Sequence, residues 1–187
     1  MRVIAGTCRS MPLKAPEGLN TRPTTDRIKE TLFNILQQEV PGSVFVDLFS
    51  GSGGIGIEAL SRGAKKAYFV ENAPSALQCI TQNLLFTKLA DRAIVIKQDA
   101  ALAVSSIHEK HVDVIFMDAP YEEGHEERVL SALVAQPYVN EETLIIVEES
   151  LHADFSFVTS LGFEVVREKK YKTNQHVFLR KKAADNM

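Results

Sequence analysis

Short apolar runs alternate with amphipathic stretches along most of this 187-residue chain. The runs have the length and the Val, Ile and Phe content of buried strands, and they lie at 43–49, 66–71, 93–99, 112–118 and 143–149. The stretches between them predict helices at about 54–62, from Pro74 onward, up to about His108, around 125–136 and around 154–160. Strands that alternate with helices in this way predict an α/β domain with a doubly wound parallel sheet.

The two ends of the chain depart from this alternation. At the C-terminal end, FEVVREKK and HVFLRK read as strands joined only by Tyr171–Gln175, a link so short that the pair must be antiparallel. At the N-terminal end, the segments RVIAG and MPLKAP are predicted to pair as a small hairpin, and Thr24 or Thr25 can cap a helix. We therefore expect an N-terminal β arm over 1–20 and one domain over 21–187, with seven strands of which the last is antiparallel.

Composition narrows the class of protein. Hydrophobic residues make up 45% of the chain and charged residues 24%, as in soluble globular proteins. No apolar run approaches the ~20 residues of a membrane span, and the first residues lack the apolar region of a signal peptide. Cys8, Cys79 and the five histidines have no convincing metal-ligand spacing, so we expect reduced thiols, surface histidines including His176, and no metal site. These features predict a cytoplasmic protein without a membrane partner, and we expect a monomer.

The charge is unevenly distributed. The net charge is −3, yet residues 1–30 carry +3 and residues 165–182 carry +6, which leaves −12 for the rest. An acidic body with two basic ends favours a local anion-binding face.

A glycine-rich loop follows the first predicted strand. Gly51, Gly53 and Gly56 fit the pattern GxGxxG, in which glycines let backbone N–H groups approach a ligand at the start of a helix. Glu71 ends the next strand, 20 residues after Gly51, where an acidic side chain can bind ribose hydroxyls. Together these features predict a cofactor that contains a nucleoside.

Two further strand-end acids indicate which nucleoside. Asp47 lies just before the glycine loop, where it would repel a pyrophosphate but attract an ammonium group, and Asp99 ends the third strand, within reach of an adenine amine. Acids at three strand ends therefore favour S-adenosylmethionine over NAD, although GxGxxG with Glu71 leaves an NAD-dependent oxidoreductase open.

The fourth strand ends in Asp118-Ala119-Pro120-Tyr121. A carboxylate and a backbone carbonyl can accept the two protons of an exocyclic amine, and an aromatic ring can stack on a base removed from its helix. This turn is similar to the (D/N)PP(Y/F) motif of amino-group methyltransferases, with Ala119 in place of the usual first proline.

The chain resembles, from residue 2 to about 181, the bacterial RsmD-type 16S rRNA guanine-N2 methyltransferases. The resemblance rests on RPTTDRIKETLFNIL (22–36), DLFSGSGGIGIEALSRGA (47–64), YFVEN (68–72) and MDAPY (117–121), in the family's order. It implies a Rossmann-like class I methyltransferase fold, S-adenosylmethionine as cofactor, and methylation of guanine 966 in 16S rRNA or in a small-subunit particle. The arm here reads GTCRSMPL, with fewer cations than the family's GxxRGRxL.

The resemblance also implies roles for individual residues. Asp118, Ala119, Pro120 and Tyr121 would form the catalytic turn. The cofactor would contact Asp47, Phe49, Gly51, Ser52, Gly53, Glu71, Asn72, Asp99 and Ala100. The RNA would contact Arg2, Arg9, Lys14, Arg22, Thr24 and Arg27.

Two further functions stay open beside this one. The catalytic turn would also suit a methyltransferase that acts on adenine in DNA or on a protein glutamine, although the segment 22–36 argues against it. The two basic ends would also suit a non-catalytic RNA-binding assembly factor that has kept the fold.

Overall fold

A computed structural model describes residues 1–16, 25–120 and 124–183 of the chain. Seven strands form one sheet in the order β3-β2-β1-β4-β5-β7-β6. The strands are β1 (Val44–Leu48), β2 (Lys66–Glu71), β3 (Ala93–Lys97), β4 (Val114–Met117), β5 (Leu144–Ser150), β6 (Phe163–Lys170) and β7 (Asn174–Lys181). Strand β7 is antiparallel to its neighbours β5 and β6, whereas the other neighbouring pairs are parallel. The predicted seven-stranded sheet, including its antiparallel last strand, is confirmed.

Helices cover both faces of the sheet. They are α1 (Asp26–Ile35), α2 (Gly54–Ser61), α3 (Pro74–Thr87), α4 (Ala100–Ala103) and α5 (His125–Val134). Val114 and Phe116 of β4 pack in a core with α1, α2, α3 and the N-terminal segment, which we call the α1 face. Ile115 and Met117 pack in a second core with α4 and α5, which we call the α5 face. Because successive side chains of a strand alternate between faces, these four residues fix the face of every neighbouring position.

Two predicted helices are shorter than expected. The helix that was expected to reach His108 is α-helical over Ala100–Ala103 and continues as a 3₁₀ turn over Val104–Ser106. The helix expected around 154–160 is a 3₁₀ turn over Ser156–Thr159. Aromatic and β-branched residues in SFVT lower helix propensity, which explains why this segment makes only one tight turn. Among the described residues, no helix has both the length and the apolar character needed to cross a membrane.

The two halves of the N-terminal segment pair as the small hairpin that the sequence predicts, but over only a short stretch. Its two halves meet in an isolated antiparallel bridge between Arg2 and Pro12. The backbone N–H groups of Ile4 and Ala5 donate instead to the Glu58 carboxylate of α2, at 2.8 and 3.0 Å. This carboxylate takes the place of a partner strand, so the segment docks on α2.

A buried ion pair joins this segment to α1 and α2. Lys29 is 1% exposed, and its Nζ lies 3.4 Å from Oε2 of the fully buried Glu58 and donates to the carbonyl of Arg2 at 2.5 Å. Arg62 Nε donates to the other oxygen of Glu58 at 2.7 Å. Burial lowers the pKa of Lys29, and Glu58 opposes that change. Lys29 is therefore a structural cation and does not belong to the basic surface of the N-terminal region.

Candidate active site

The strand-end acids come together at the carboxyl edge of the sheet. From β1 the chain adds β2 and β3 on one side and then crosses back to place β4 on the other side of β1. The crevice between β1 and β4 is therefore the switch point where α/β sheets bind ligands. Asp47 lies in β1 opposite Phe69 of β2 and Phe116 of β4, which places its side chain on the α1 face. By the same alternation Glu71 of β2 lies on this face.

The loop after β1 depends on left-handed backbone. Gly51 and Gly53 have φ of +55° and +81°, and Phe49 has φ +59° although it is not glycine. A bulky residue in this region is strained, and such strain is typical of ligand-binding loops. The Phe49 ring makes an edge contact with the His125 ring of α5, with the centroids 5.8 Å apart. The loop is thereby held over the crevice.

Asp47 is a buried carboxyl that accepts a hydrogen bond from the backbone. It is 2% exposed, and its Oδ2 accepts a hydrogen bond from the N–H of Gly56 at 2.9 Å. Burial raises its pKa to about 7, the Gly56 hydrogen bond opposes that change, and Glu71 adds to it. A cationic ligand group beside Asp47 would favour its ionised form.

Glu71 is oriented by backbone amides of the glycine loop and of the residues before α3. Its Oε2 accepts from the N–H of Gly51 at 2.9 Å, and its Oε1 accepts from Asn72 and Ala73 at 2.8 and 2.9 Å. A carboxylate has about four acceptor positions, so capacity for a ligand hydroxyl remains. The carboxylate therefore links the glycine loop to the start of α3, where the sequence places the ribose.

Asp118 follows β4 directly and is half-buried. Burial raises its pKa well above the usual value, and the charges of Glu148, Asp47 and Glu149 raise it further. Asp47 pairs with Phe69 and Phe116, and Glu71 and Asp118 each come two residues after one of these partners. The three carboxyls therefore lie on the α1 face at the same edge of the sheet, and we call them the acidic centre. Ala119, whose carbonyl is the second expected acceptor, is buried at 2% exposure.

A buried polar network lies beside Asp118 and was not predicted. Glu148 of β5 accepts hydrogen bonds from Asn174 Nδ2 at 2.7 Å, and its Oε2 lies 2.8 Å from His176 Nε2. The other ring nitrogen of His176 lies 3.1 Å from the hydroxyl of Tyr171. The expectation that His176 is a surface residue is wrong, because β7 is flanked by strands on both sides and the His176 side chain is fully buried.

Glu149 lies on the opposite face from Glu148. It contacts Glu126 near the start of α5, and its pKa is raised mainly by burial and also by the hydrogen bond and the charge of Glu126. Both side chains are at least nine-tenths buried. The sequence TLIIVEES carried the signal that was missed, because Glu148 and Glu149 end a strand as Asp47 and Glu71 do.

Asp99 makes contacts that compete with the expected one to adenine. Its Oδ1 caps α4 by accepting from the N–H groups of Ala101 and Leu102, at 3.1 and 3.4 Å, and it also accepts from the guanidinium of Arg128. The Arg128 hydrogen bond is the main reason that the pKa of Asp99 is lowered. Its role toward the adenine stays a prediction.

The other predicted site residues are placed as follows. Ser52 is buried, and its hydroxyl lies 3.6 Å from the Met1 sulfur. Asn72 and Pro120 are exposed, and Ala100 is the buried first residue of α4. Tyr121, Arg22 and Thr24 lie outside the described residues.

The predicted RNA contacts surround the N-terminal segment and α1. Arg2, Arg9 and Arg27 are exposed and line a cleft of about 390 Å³. Arg2 also pairs with Asp26 at 3.0 Å. Lys14 lies apart from this cleft, with its Nζ 3.0 Å from Gln82 Oε1 on α3.

Comparison with known proteins places this architecture in a family. The family described as Conserved hypothetical protein 95 matches residues 1–180. The chain belongs to this family. A relative from Haemophilus influenzae, named Ribosomal RNA small subunit methyltransferase D, is 36% identical over 173 residues, which cover 90% of this chain and 88% of the relative. The Escherichia coli K12 protein of the same name is 34% identical over 169 residues, which cover 90% and 84%.

A solved structure supports the same placement. "Putative methyltransferase yhhF from Escherichia coli" superposes with a TM-score of 0.83 and 32% identity, over 98% of this chain and 99% of that chain. The resemblance to RsmD-type proteins and the Rossmann-like methyltransferase fold are thereby confirmed.

Proposed function

We propose that this protein transfers a methyl group from S-adenosylmethionine to the exocyclic N2 amine of a guanine in 16S ribosomal RNA. The names of its relatives supply the ribosomal RNA, and the resemblance supplies the N2 amine and guanine 966 as the expected target. The observation that carries the proposal is the acidic centre at the switch point, where Asp118 follows β4 beside Asp47 and the glycine loop.

The acidic centre fits the charges of this cofactor. Glu71 raises the pKa of Asp47, and Asp47 raises the pKa of Asp118, so a cation among these carboxyls is favoured and a pyrophosphate is disfavoured. When bound, S-adenosylmethionine supplies a methyl group on a positively charged sulfur and an ammonium group. Asp47 would hold the ammonium, and Glu71 would accept hydrogen bonds from the ribose. This electrostatic argument favours S-adenosylmethionine over NAD.

Asp118 would act on the amine itself. An amine conjugated to a base is a weak nucleophile, and two acceptors for its protons draw the lone pair toward the methyl group. In the reaction the nitrogen gains a bond to the methyl carbon, the carbon–sulfur bond breaks, and one amine proton leaves. The Asp118 carboxylate and the Ala119 carbonyl would hold the amine by positioning and hydrogen bonding, without a covalent intermediate.

Two substitutions separate the catalytic role from the cofactor role. Asp118→Ala should lower turnover about 100-fold or more, as the loss of one preorganised group does, with the Kd for S-adenosylmethionine unchanged. Glu71→Ala should weaken cofactor binding about tenfold and leave turnover at saturating cofactor nearly intact, because it removes about one charged hydrogen bond. Asp91→Asn, an exposed acid at the opposite edge of the sheet, is the matched control.

The measurements are methyl transfer to unmethylated 16S rRNA and calorimetric titration with S-adenosylmethionine. Wild-type turnover in Asp118→Ala would refute the catalytic assignment. Unchanged cofactor affinity in Glu71→Ala would refute the ribose assignment.

A further inference from the structure

The hairpin of β6 and β7 brings a second group of cations to the carboxyl edge of the sheet. Glu149 and Ser150, at the end of β5, pair with Gln175 and Asn174 at the start of β7. The turn before Asn174 therefore lies at the edge that carries Asp118. It is closed by a hydrogen bond of 2.8 Å from the N–H of Tyr171 to the carbonyl of Asn174. Lys172 is exposed within this turn.

A bulge in β6 sets which face the cations occupy. Val165 pairs with Leu179 on the α5 face, whereas Arg167 pairs with Phe178 on the α1 face, because Val166 is an extra residue between them. In a regular ladder Val166 would pair with Phe178, and Arg167 would pair with Val177 and face the other way, since side chains alternate along a strand. The bulge thus places Arg167 on the face that carries Asp47.

Lys169 occupies the same face. It pairs with His176, and its Nζ lies 6.0 Å from the centre of the Tyr171 ring. The Arg167 guanidinium lies 5.9 Å from the centre of the Phe178 ring. Glu168 pairs with Val177 on the α5 face. The hairpin therefore presents Arg167 and Lys169 on the α1 face and turns the intervening acid away.

Two other cations of the hairpin form hydrogen bonds within the protein. Arg180 donates to the carbonyl of Glu142 at 2.7 Å, and Lys181 donates to that of Val134 at 2.8 Å. These two stabilise the far end of the hairpin. Within the described part of the chain, the side chains of Arg167, Lys169 and Lys172 make no ion pair.

An RNA that reaches the acidic centre needs such cations. The carboxyls around Asp118 repel phosphates, so the strand must be held at its flanks while the base enters. Strand β6 is three positions from β4, which is about 14 Å at the usual strand spacing. This exceeds the Debye length of about 8 Å at physiological salt, so the cations can attract phosphates without neutralising the acidic centre.

We propose that Arg167, Lys169 and Lys172 form a phosphate-binding surface for the substrate RNA, separate from the cleft lined by Arg2, Arg9 and Arg27. The inference rests on the proposed function for its substrate. It adds a second contact region for the RNA, on the hairpin of β6 and β7.

The test compares two triple substitutions that remove the same charge. One is Arg167→Gln with Lys169→Gln and Lys172→Gln. The control is Lys88→Gln with Lys110→Gln and Lys182→Gln, three exposed lysines at the opposite edge of the sheet. The Kd for unmethylated 16S rRNA is measured between 50 and 200 mM salt, together with the thermal midpoint and the Kd for S-adenosylmethionine.

For a single strand, the loss of three phosphate contacts should reduce the magnitude of the negative slope of log K against log salt by about 2. Over this salt range, wild type should therefore lose about 20-fold more affinity than the hairpin variant. The control and a charge-preserving variant (Arg167→Lys, Lys169→Arg, Lys172→Arg) should keep the wild-type slope. Cofactor binding should be the same in all four proteins.

Equal slopes for the hairpin variant and the control would overturn the inference. If the triple variant melts early, Lys172→Gln alone decides, because it is exposed in the turn and should lower the slope by about 0.7. Wild type that binds RNA but transfers no methyl group would refute the proposed function, whereas equal slopes with normal methyl transfer would refute only the hairpin contact.

Discussion

Gly56 is the position where the packing of α2 on the sheet bears most directly on the cofactor site. A Cβ added there would lie 2.7 Å from Phe69 Cζ and closer still to Cε1, and the ring of this fully buried residue has no free space to move into. Overpacking of this kind costs about 1–3 kcal/mol, and the better helix propensity of alanine returns only about 0.5–1 kcal/mol. Gly56→Ala should therefore destabilise the protein by about 1 kcal/mol, and by about 2 kcal/mol relative to a glycine-to-alanine change in α2 that makes no such contact.

The same substitution should also weaken cofactor binding. If α2 moves away from the strands, the hydrogen bond from the Gly56 N–H to Asp47 lengthens. That bond holds the pKa of Asp47 down, so its loss raises the pKa of Asp47 further from its ordinary value. At neutral pH the carboxyl would be less ionised, and S-adenosylmethionine should bind more weakly, with affinity partly restored as the pH rises.

Gly54→Ala is the matched control in the same helix. Its Cβ would meet the Met1 sulfur at 2.7 Å, but that atom is at the end of a flexible, exposed side chain that can move. We expect its free energy of unfolding to stay within about 1 kcal/mol of wild type. Urea denaturation and calorimetric titration with S-adenosylmethionine measure both effects.

A second background tests the cause. In a Phe69→Leu protein, Gly56→Ala should cost less than in wild type, because the ring atoms that it would meet are gone. If Gly56→Ala and Gly54→Ala are equally stable, or if Phe69→Leu leaves the cost unchanged, the packing argument is wrong.

Two further predictions concern buried charges. Lys29→Met should lower the free energy of unfolding by about 3 kcal/mol, because it leaves the buried Glu58 without one of its cations. The double variant with Glu58→Gln should lose less than the two single changes added together, and additive losses in urea denaturation would contradict this. Glu148→Gln removes a negative charge that raises the pKa of Asp118. The pH at which turnover falls on acidification should therefore move lower, and an unchanged pH–turnover profile would show that Glu148 does not act on Asp118.

Much of the fold could be predicted because its strands are buried on both faces. Such strands read as continuous apolar runs, and the runs at 66–71 and 143–149 lie within one residue of β2 and β5 at each end. The strand-end acids were predictable for the same reason, because parallel strands bring their carboxyl ends to one edge. The family's motifs then assigned roles to acids such as Asp47 and Glu71.

The buried polar groups could not be predicted, because a local pattern does not show which charges find partners. Lys29 looks like a solvated residue of an amphipathic helix, yet it is buried, and its partners are Glu58 and the carbonyl of Arg2, both distant in sequence. His176 was expected at the surface because it lacks convincing metal-ligand spacing. In the sheet it lies between β5 and β6, and its partner Glu148 is 28 residues away.

The measurement that tests the central claim most directly is methyl transfer from labelled S-adenosylmethionine to two substrates taken from cells that lack this protein. One substrate is deproteinised 16S rRNA and the other is the partly assembled small subunit, and the labelled RNA is digested to nucleosides. We predict that the label appears in N2-methylguanine with at least one substrate and is lost in Asp118→Ala. Label in another nucleoside, or none in either substrate while the cofactor still binds, would contradict the proposed reaction.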